Sequence, residues 1–417
     1  MVAYRPRVMD AELADRLLSA GAVVIQGPKA CGKTETARRV AKSAVFLDID
    51  ANARQAATLA PERVLEGETP RLIDEWQLAP EIWNHVRHEI DARAQPGQFI
   101  LTGSLIPAED TVRHSGAGRI SRLMLRPMSS FETGRSTGAV SVEGMLAGEA
   151  PTTKDPGLAI GDVAESIAAG GWPRHQDLSV PAATRSVRDY VEEITHTDVA
   201  TVDGVRRDPA KVARLMASLA RNVATYASNN TLAADTGATA EQLDRHTVSD
   251  YLTALERLFI IEDQPAWAPH LRSRARLRSA SKRHFIDPSL AVAALRVSAD
   301  RLLDDLRFLG FLFESMVVRD LRVYAQASDA RVLQYRDESG LEVDAIVEQA
   351  DGRWAAFEVK LGGGLIDEGA ENLLRFANRV DTERCGAPAV LGVITASGVG
   401  FQRPDGVLII PIGALGP

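Results

Sequence analysis

A chain of 417 residues has room for two or three domains with sizeable cores. Its 45% hydrophobic and 25% charged residues are the balance of a globular protein in water, and no apolar run reaches membrane-spanning length, so no membrane partner is expected. The net charge of −8 speaks against a chain coated in nucleic acid while leaving room for a local basic patch. Two cysteines, Cys31 and Cys385, make no disulfide framework, and the start Met1-Val2-Ala3-Tyr4-Arg5 lacks an apolar signal core; a reducing cytoplasm is the expected location.

Residues 6–20 read as an amphipathic helix leading into the apolar strand Ala22-Val23-Val24-Ile25. Then comes Gly27-Pro28-Lys29-Ala30-Cys31-Gly32-Lys33-Thr34, followed by a helix-like run from Glu35 to Ser43. Strand, glycine-bounded turn, Lys-Thr and helix is the order of a phosphate-binding loop. Gly27 and Gly32 let the backbone curl so that its N–H groups point inward at an anion, and the helix adds its positive N-terminal end. Lys33 would reach the β- and γ-phosphates of ATP, and the Thr34 hydroxyl would join the shell of a Mg²⁺ ion.

Val45 to Ile49 is a second short strand, and Arg71-Leu72-Ile73-Asp74-Glu75-Trp76 is a third that ends in two acids. Two acids after a strand can be a solvated strand end. Roughly 40 residues after a phosphate loop, they instead read as an Asp74 that holds Mg²⁺ and a Glu75 that polarises the attacking water. Residues 81–94 look helical, with Ile82, Val86 and Ile90 on one face. Gln98 to Ser104 is the next strand. Thr102 or Ser104 at its end is placed to sense the γ-phosphate, unless it serves as a helix cap. A glycine-rich turn ending in Gly118-Arg119 precedes the strand Arg122 to Pro127. Short strands alternating with helices predict a parallel, doubly wound α/β sheet over residues 1–135.

The phosphate loop, Leu72-Ile73-Asp74-Glu75-Trp76-Gln77, Leu101-Thr102-Gly103-Ser104 and Gly118-Arg119 together resemble the AAA-type ATPase module of a large prokaryotic family that carries a C-terminal DUF4143 region. In such modules an arginine just before the last core strand often acts on the γ-phosphate bound by a neighbouring subunit. Arg119 matches that position, and the resemblance therefore implies a homo-oligomer; a surface arginine in a glycine-rich turn is the plainer alternative.

Residues 134–160, rich in Gly, Ser, Thr and Pro, read as a linker or mobile insertion. Gly170-Gly171-Trp172-Pro173 matches a turn of the same family and reads as packing rather than chemistry. Lys211 to Ala224, Thr231 to Gly237 and His246 to Leu258 predict helices, and Phe259 to Glu262 a strand, which is a winged-helix order. His270 to His284 is the most basic stretch, with Arg272, Arg274, Arg276, Arg278, Lys282 and Arg283 and no acid. Alternation along an extended wing would put the first four guanidinium groups on one face, so DNA phosphate contact is the expectation beside the ordinary reading of a solvated face.

The last region opens with a helix around Leu309 to Val317. Strands follow at Arg331 to Arg336, Leu341 to Val347 and Trp354 to Lys360, and then a helix from about Glu368 to Asn378. A helix acid, Glu314, followed by Asp344 and Glu358-Val359-Lys360, resembles the PD-(D/E)XK nuclease fold. That resemblance implies metal held by Asp344 and Glu358 with Glu314 in support, and Lys360 orienting water or meeting developing charge. A solvated sheet face is the alternative.

The expected organisation is thus a P-loop NTPase module of the AAA type (1–135), a linker with a helical, winged-helix region (136–290) and a nuclease-like α/β domain (291–417). Two functions compete. One is an ATPase coupled to DNA binding and metal-dependent cleavage. The other is a nucleotide-switched binding protein whose nuclease-like domain only docks a partner.

Overall fold

The computed structural model describes residues 4–106, 116–237, 242–268 and 281–417. The chain divides into two compact units. The first consists of Met1–Pro127, His196–Arg207 and Thr253–Ile260, and the second of the remainder.

The first unit is built on five parallel strands: β1 (Ala22–Gln26), β2 (Ser43–Phe46), β3 (Arg71–Asp74), β4 (Phe99–Gly103) and β5 (Ile120–Met124), in the order β2-β3-β4-β1-β5. Parallel strands need crossovers, and the helices Lys33–Arg38 and Ile82–Arg93 lie on two of them. The strands read as near-continuous apolar runs because both faces are covered. Ala22 and Val24 face a core containing Trp76, Trp83, Val86 and Ile90, while Val23 and Ile25 face another containing Met9, Leu13 and Leu17 from the helix Asp10–Ser19. Strand alternation thus divides one short segment between two layers. Because β1, β4 and β3 are adjacent and parallel, the C-terminal ends of all three strands open on one edge of the sheet. That edge is where an open parallel sheet binds ligands.

The second unit holds a mixed six-stranded sheet, β13-β14-β12-β11-β10-β9. β9 (Ala330–Arg336), β10 (Glu342–Gln349) and β11 (Trp354–Lys360) are antiparallel; β12 (Leu391–Thr395) and β14 (Leu408–Pro411) continue parallel to β11, and β13 (Phe401–Gln402) closes the edge. The helices Leu306–Ala327 and Ile366–Ala377 pack on this sheet. Asp305 caps the first by accepting from the Phe308 N–H at 3.0 Å, and from Leu312 to Ala325 every residue is buried, which explains why its sequence shows no polar stripe. Preceding these are the helices Ile160–Ala169, Val180–Glu193, Pro209–Arg221 and Asn229–Ala234, and the antiparallel pair β7 (Ile261–Gln264) and β8 (Lys282–Phe285).

One reading of the middle region changes and another holds. The stretch 134–160 is not simply a linker: β6 (Val140–Ser141) pairs with β15 (Leu415–Gly416), and a short helix, Val142–Leu146, follows with Ser141 Oγ accepting from the Gly144 N–H. Val140, Val142, Met145 and Leu146 are buried, and these four apolar side chains outweigh the flexible residues around them. The Gly170-Gly171-Trp172-Pro173 turn is a packed one, as expected. A Cβ on Gly171 would lie 2.1 Å from the Met128 carbonyl oxygen, and the Gly171 N–H donates to Asp287 Oδ2 at 3.0 Å. Asp287 is paired in turn with Arg319, whose guanidinium also binds Asp320, so both buried carboxylates share one cationic partner.

Candidate functional site

The phosphate loop leaves β1 at Gln26 and enters the helix at Lys33. Gly27 is obligatory, since a Cβ there would lie 2.1 Å from the Leu125 carbonyl oxygen. Ala30 (φ 62°) and Gly32 (φ 105°) take the left-handed conformation that turns successive N–H groups to one side. Arg7 braces the outside of the curl, donating to the carbonyls of Cys31 at 2.8 Å and Arg126 at 2.7 Å, and Cys31 is buried with its thiol on Leu125 O. Lys33 is 4% exposed and folds back over the loop, its ammonium donating to Gly27 O at 3.0 Å and Pro28 O at 2.8 Å. An anion in the cradle would exchange these two neutral acceptors for charged ones, a stronger bond.

Asp74 and Glu75 stand beside this loop. Asp74 Oδ1 accepts from Thr34 Oγ1 at 2.9 Å and from Thr102 Oγ1 at 2.5 Å. Thr102 Oγ1 also accepts the Glu75 N–H at 3.1 Å, so one hydroxyl on β4 sets both acids. Burial pushes the Asp74 carboxyl above its ordinary range, while the two threonine hydroxyls hold it down. A hydroxyl and a carboxylate with few other partners form a hard-oxygen pair suited to Mg²⁺. Glu75 lies at φ 52°, ψ 48°, a conformation uncommon for a residue with a Cβ. Its Oε2 accepts from Ser104 Oγ at 3.0 Å and from Gln77 Nε2. Gln77 Oε1 is buried with no hydrogen-bond partner, which leaves an acceptor beside Glu75 for a water.

Arg119 lies at the far end of the sheet. Parallel pairing sets Ala22 against Ile120 and Gln26 against Met124, so Arg119 precedes the start of β5 while the phosphate loop follows the end of β1. At ~3.3 Å per residue, the strand separates them by more than about 13 Å. Its guanidinium is 40% exposed and bonds Asp91 of the helix Ile82–Arg93 at 2.5 Å.

In the second unit the acids of the C-terminal motif do converge, but each with an ammonium. Lys282 Nζ lies 2.7 Å from Glu314 Oε1 and 3.0 Å from Asp344 Oδ1 with its side chain 3% exposed. Asp344 sits where β10 departs from regular register against β9, and its Oδ2 accepts the Val359 N–H of β11 at 3.0 Å. Glu358 accepts from Asn372 at 2.9 Å and pairs with Lys360 at 3.2 Å, and Lys360 also reaches Glu368 at 3.4 Å. Burial, with the Asp344 charge second, raises the carboxyls of Glu314 and Glu358 to about 8 each. Among the described residues no group of three His, Cys, Asp or Glu side chains is arranged to hold a metal ion. The expected metal centre of Glu314, Asp344 and Glu358 is met here by ammonium groups instead: one oxygen of each carboxylate is paired with a lysine, which a cation would have to displace. A cleft of about 490 Å³ opens over this cluster, lined by Tyr226, Phe311, Arg336 and Glu342 among others.

Residues 19–133 match the family model of an AAA domain, residues 160–301 a domain of unknown function designated DUF8612, and residues 309–415 a further domain of unknown function, DUF4143. The chain carries an N-terminal AAA domain and a C-terminal DUF4143 region. Its relatives include the uncharacterized proteins Rv2008c of Mycobacterium tuberculosis and Mb2031c of Mycobacterium bovis, each 27% identical over 362 residues that cover 84% of this chain and 72% of theirs. A Walker-type ATPase of Pyrococcus abyssi aligns with a TM-score of 0.42 at 13% identity, over 71% of this chain and 99% of that one.

In this AAA–DUF4143 protein the basic stretch departs from its sequence reading. Lys282 is buried in the acid cluster rather than facing solvent, and Arg283 donates to Ala227 O and Asn229 Oδ1, both at 3.0 Å. Arg272, Arg274, Arg276 and Arg278 lie outside the described residues. No helix among the described residues is long and apolar enough to cross a membrane. Sequence reasoning gave Gln77 no role of its own and did not find the partner of Lys29: Asp198, 169 residues away, bonds Lys29 Nζ. Gln77 follows directly on Asp74-Glu75-Trp76, and that adjacency was its signal; Asp198 had none.

Proposed function

We propose that the first unit binds ATP with Mg²⁺ and hydrolyses it, and that this cycle is the activity of the protein. The observation that carries the reading is the meeting of Thr34, Asp74 and Thr102 beside the phosphate loop, with Glu75 next in sequence and held by Ser104 and Gln77. Mg²⁺, where bound, would be held by Thr34 and Asp74 and would supply charge neutralisation at the phosphates. Lys33 binds the phosphate tail, Glu75 accepts the proton of the attacking water, and Ser104 with Gln77 orients Glu75. The direct test is release of phosphate from Mg²⁺·ATP by purified protein, with no release when Mg²⁺ is withheld.

Arg119 is too far from its own loop to serve it, which supports service to a second copy. ATPase rate per chain should then rise with protein concentration. Mixing Arg119→Ala with Lys33→Ala should restore part of the activity each lacks alone, because an arginine supplied in trans is worth roughly 10³ or more in rate. A concentration-independent rate with no complementation would count against this role.

A second reading concerns the C-terminal cluster, and the position of Lys282 favours it: the nuclease-like arrangement docks a partner without cleaving. Two carboxylates forced together need a cation, and the lysines provide it. Titrating the nucleotide-free protein with Mn²⁺ should therefore reveal no site that depends on Asp344, and single- or double-stranded DNA should remain intact. A stoichiometric Mn²⁺ site lost in Asp344→Asn would restore the cleaving reading.

A further inference from the structure

The segment His196–Arg207 belongs to the nucleotide-binding unit, although the chain on both sides of it belongs to the second unit. It is tied to nucleotide-facing elements at two points. Asp198, its side chain 3% exposed, accepts from the ammonium of Lys29, the third residue of the phosphate loop, at 2.5 Å. Arg257 donates to Val202 O at 2.8 Å and to Ile106 O at 2.9 Å, and the Ile106 N–H bonds back to Arg257 O; Ile106 lies two residues beyond Ser104. Immediately before, Ile194–Asp198 forms a π-helical turn that ends on Asp198 itself. Such turns are local departures from α-helical register, often found at functional sites.

We propose that Asp198 is a positioning residue that competes with nucleotide for Lys29. In the nucleotide-free loop it holds the Lys29 ammonium, half-exposed beside the cradle. The phosphates of ATP offer that ammonium a higher charge density. When Lys29 turns to them, the Asp198 carboxylate loses this partner next to a polyanion, and segment 194–207 shifts. The shift passes covalently to residues 193 and 208, which belong to the second unit. By reciprocity of coupled equilibria, whatever ATP does to the segment, the segment does to ATP affinity. This proposal rests on the ATPase reading.

The test pairs calorimetric titration with Mg²⁺·ATPγS and hydrogen exchange of residues 194–207, on the full chain and on Asp198→Asn, Asp198→Glu and Lys29→Gln. Asp198→Asn should bind nucleotide about tenfold more tightly, close to 1.4 kcal/mol, and its segment should no longer respond to nucleotide. Asp198→Glu should restore the wild-type affinity and response. Lys29→Gln should bind more weakly, and its segment should likewise be silent. A merely structural Asp198 would give weaker or unchanged binding in Asp198→Asn, and that result overturns the proposal. So does an unaltered exchange pattern in saturated wild type. If wild type binds no nucleotide at all, the ATPase reading falls first and this inference with it.

Discussion

Replacing Lys33 by alanine is expected to raise the dissociation constant for Mg²⁺·ATP by roughly 100-fold or more and to abolish turnover. The Lys33 ammonium is buried under the curl of the loop and already satisfied by Gly27 O and Pro28 O. A triphosphate replaces those neutral acceptors with charged ones, and hydrogen bonds between charged partners contribute about 1.5–3 kcal/mol each. Two such bonds account for a loss of that size. The fold should survive, because the turn is held independently by Gly27 against Leu125, by the Arg7 bonds and by the left-handed Gly32. Calorimetry with a slowly hydrolysed analogue checks the affinity, and thermal melting checks the fold. Unchanged affinity in a folded variant would remove the phosphate loop from the mechanism.

Glu75→Gln should separate binding from chemistry. The substitution keeps size and an acceptor oxygen, so the bond from Ser104 Oγ and the left-handed backbone at residue 75 can persist. What disappears is the capacity to take a proton from water. General-base contributions are about 10²–10⁴ in rate, so kcat should fall by that factor while KM and nucleotide affinity stay within a few-fold. Removing a ground-state contact would instead raise KM with kcat intact. If wild type and Glu75→Gln hydrolyse ATP equally, Glu75 is not the base. Asp74, held by Thr34 and Thr102, would then be the remaining acid at the strand end.

These two residues also mark how far a one-dimensional reading reaches. The loop from Gly27 to Thr34 is contiguous, and its glycines, Lys and Thr act through backbone geometry that neighbouring residues set among themselves. Asp74 and Glu75 were legible for a related reason. Parallel strands of similar length end on one edge, so an acid closing a strand is carried to the same edge as a loop closing another. The parallel sheet itself was visible in its apolar runs, since burial on both faces leaves no alternation to mislead. The C-terminal acids were recognisable by their resemblance to a known motif, and they do meet.

Their counter-charge was another matter. Lys282 looked like one cation among six on a solvated strand, because period-two alternation says which side chains share a face but not what covers that face. Packing of the helix Leu306–Ala327 and the irregular turn of β10 brings Glu314 and Asp344 to its ammonium, which turned an expected metal cage into an ion-paired core. The residues 134–160 misled in the opposite sense, their Gly, Ser and Thr hiding four apolar side chains that a distant C-terminal strand recruits. Lys29 with Asp198 is the extreme case: the two lie 169 residues apart, with no periodicity or composition linking them. Charges choose partners through space, over distances of a few ångströms set by which remote segments pack together. Local pattern therefore carried the loop, the sheet and the acids, and only the folded chain decided which cation each acid would hold.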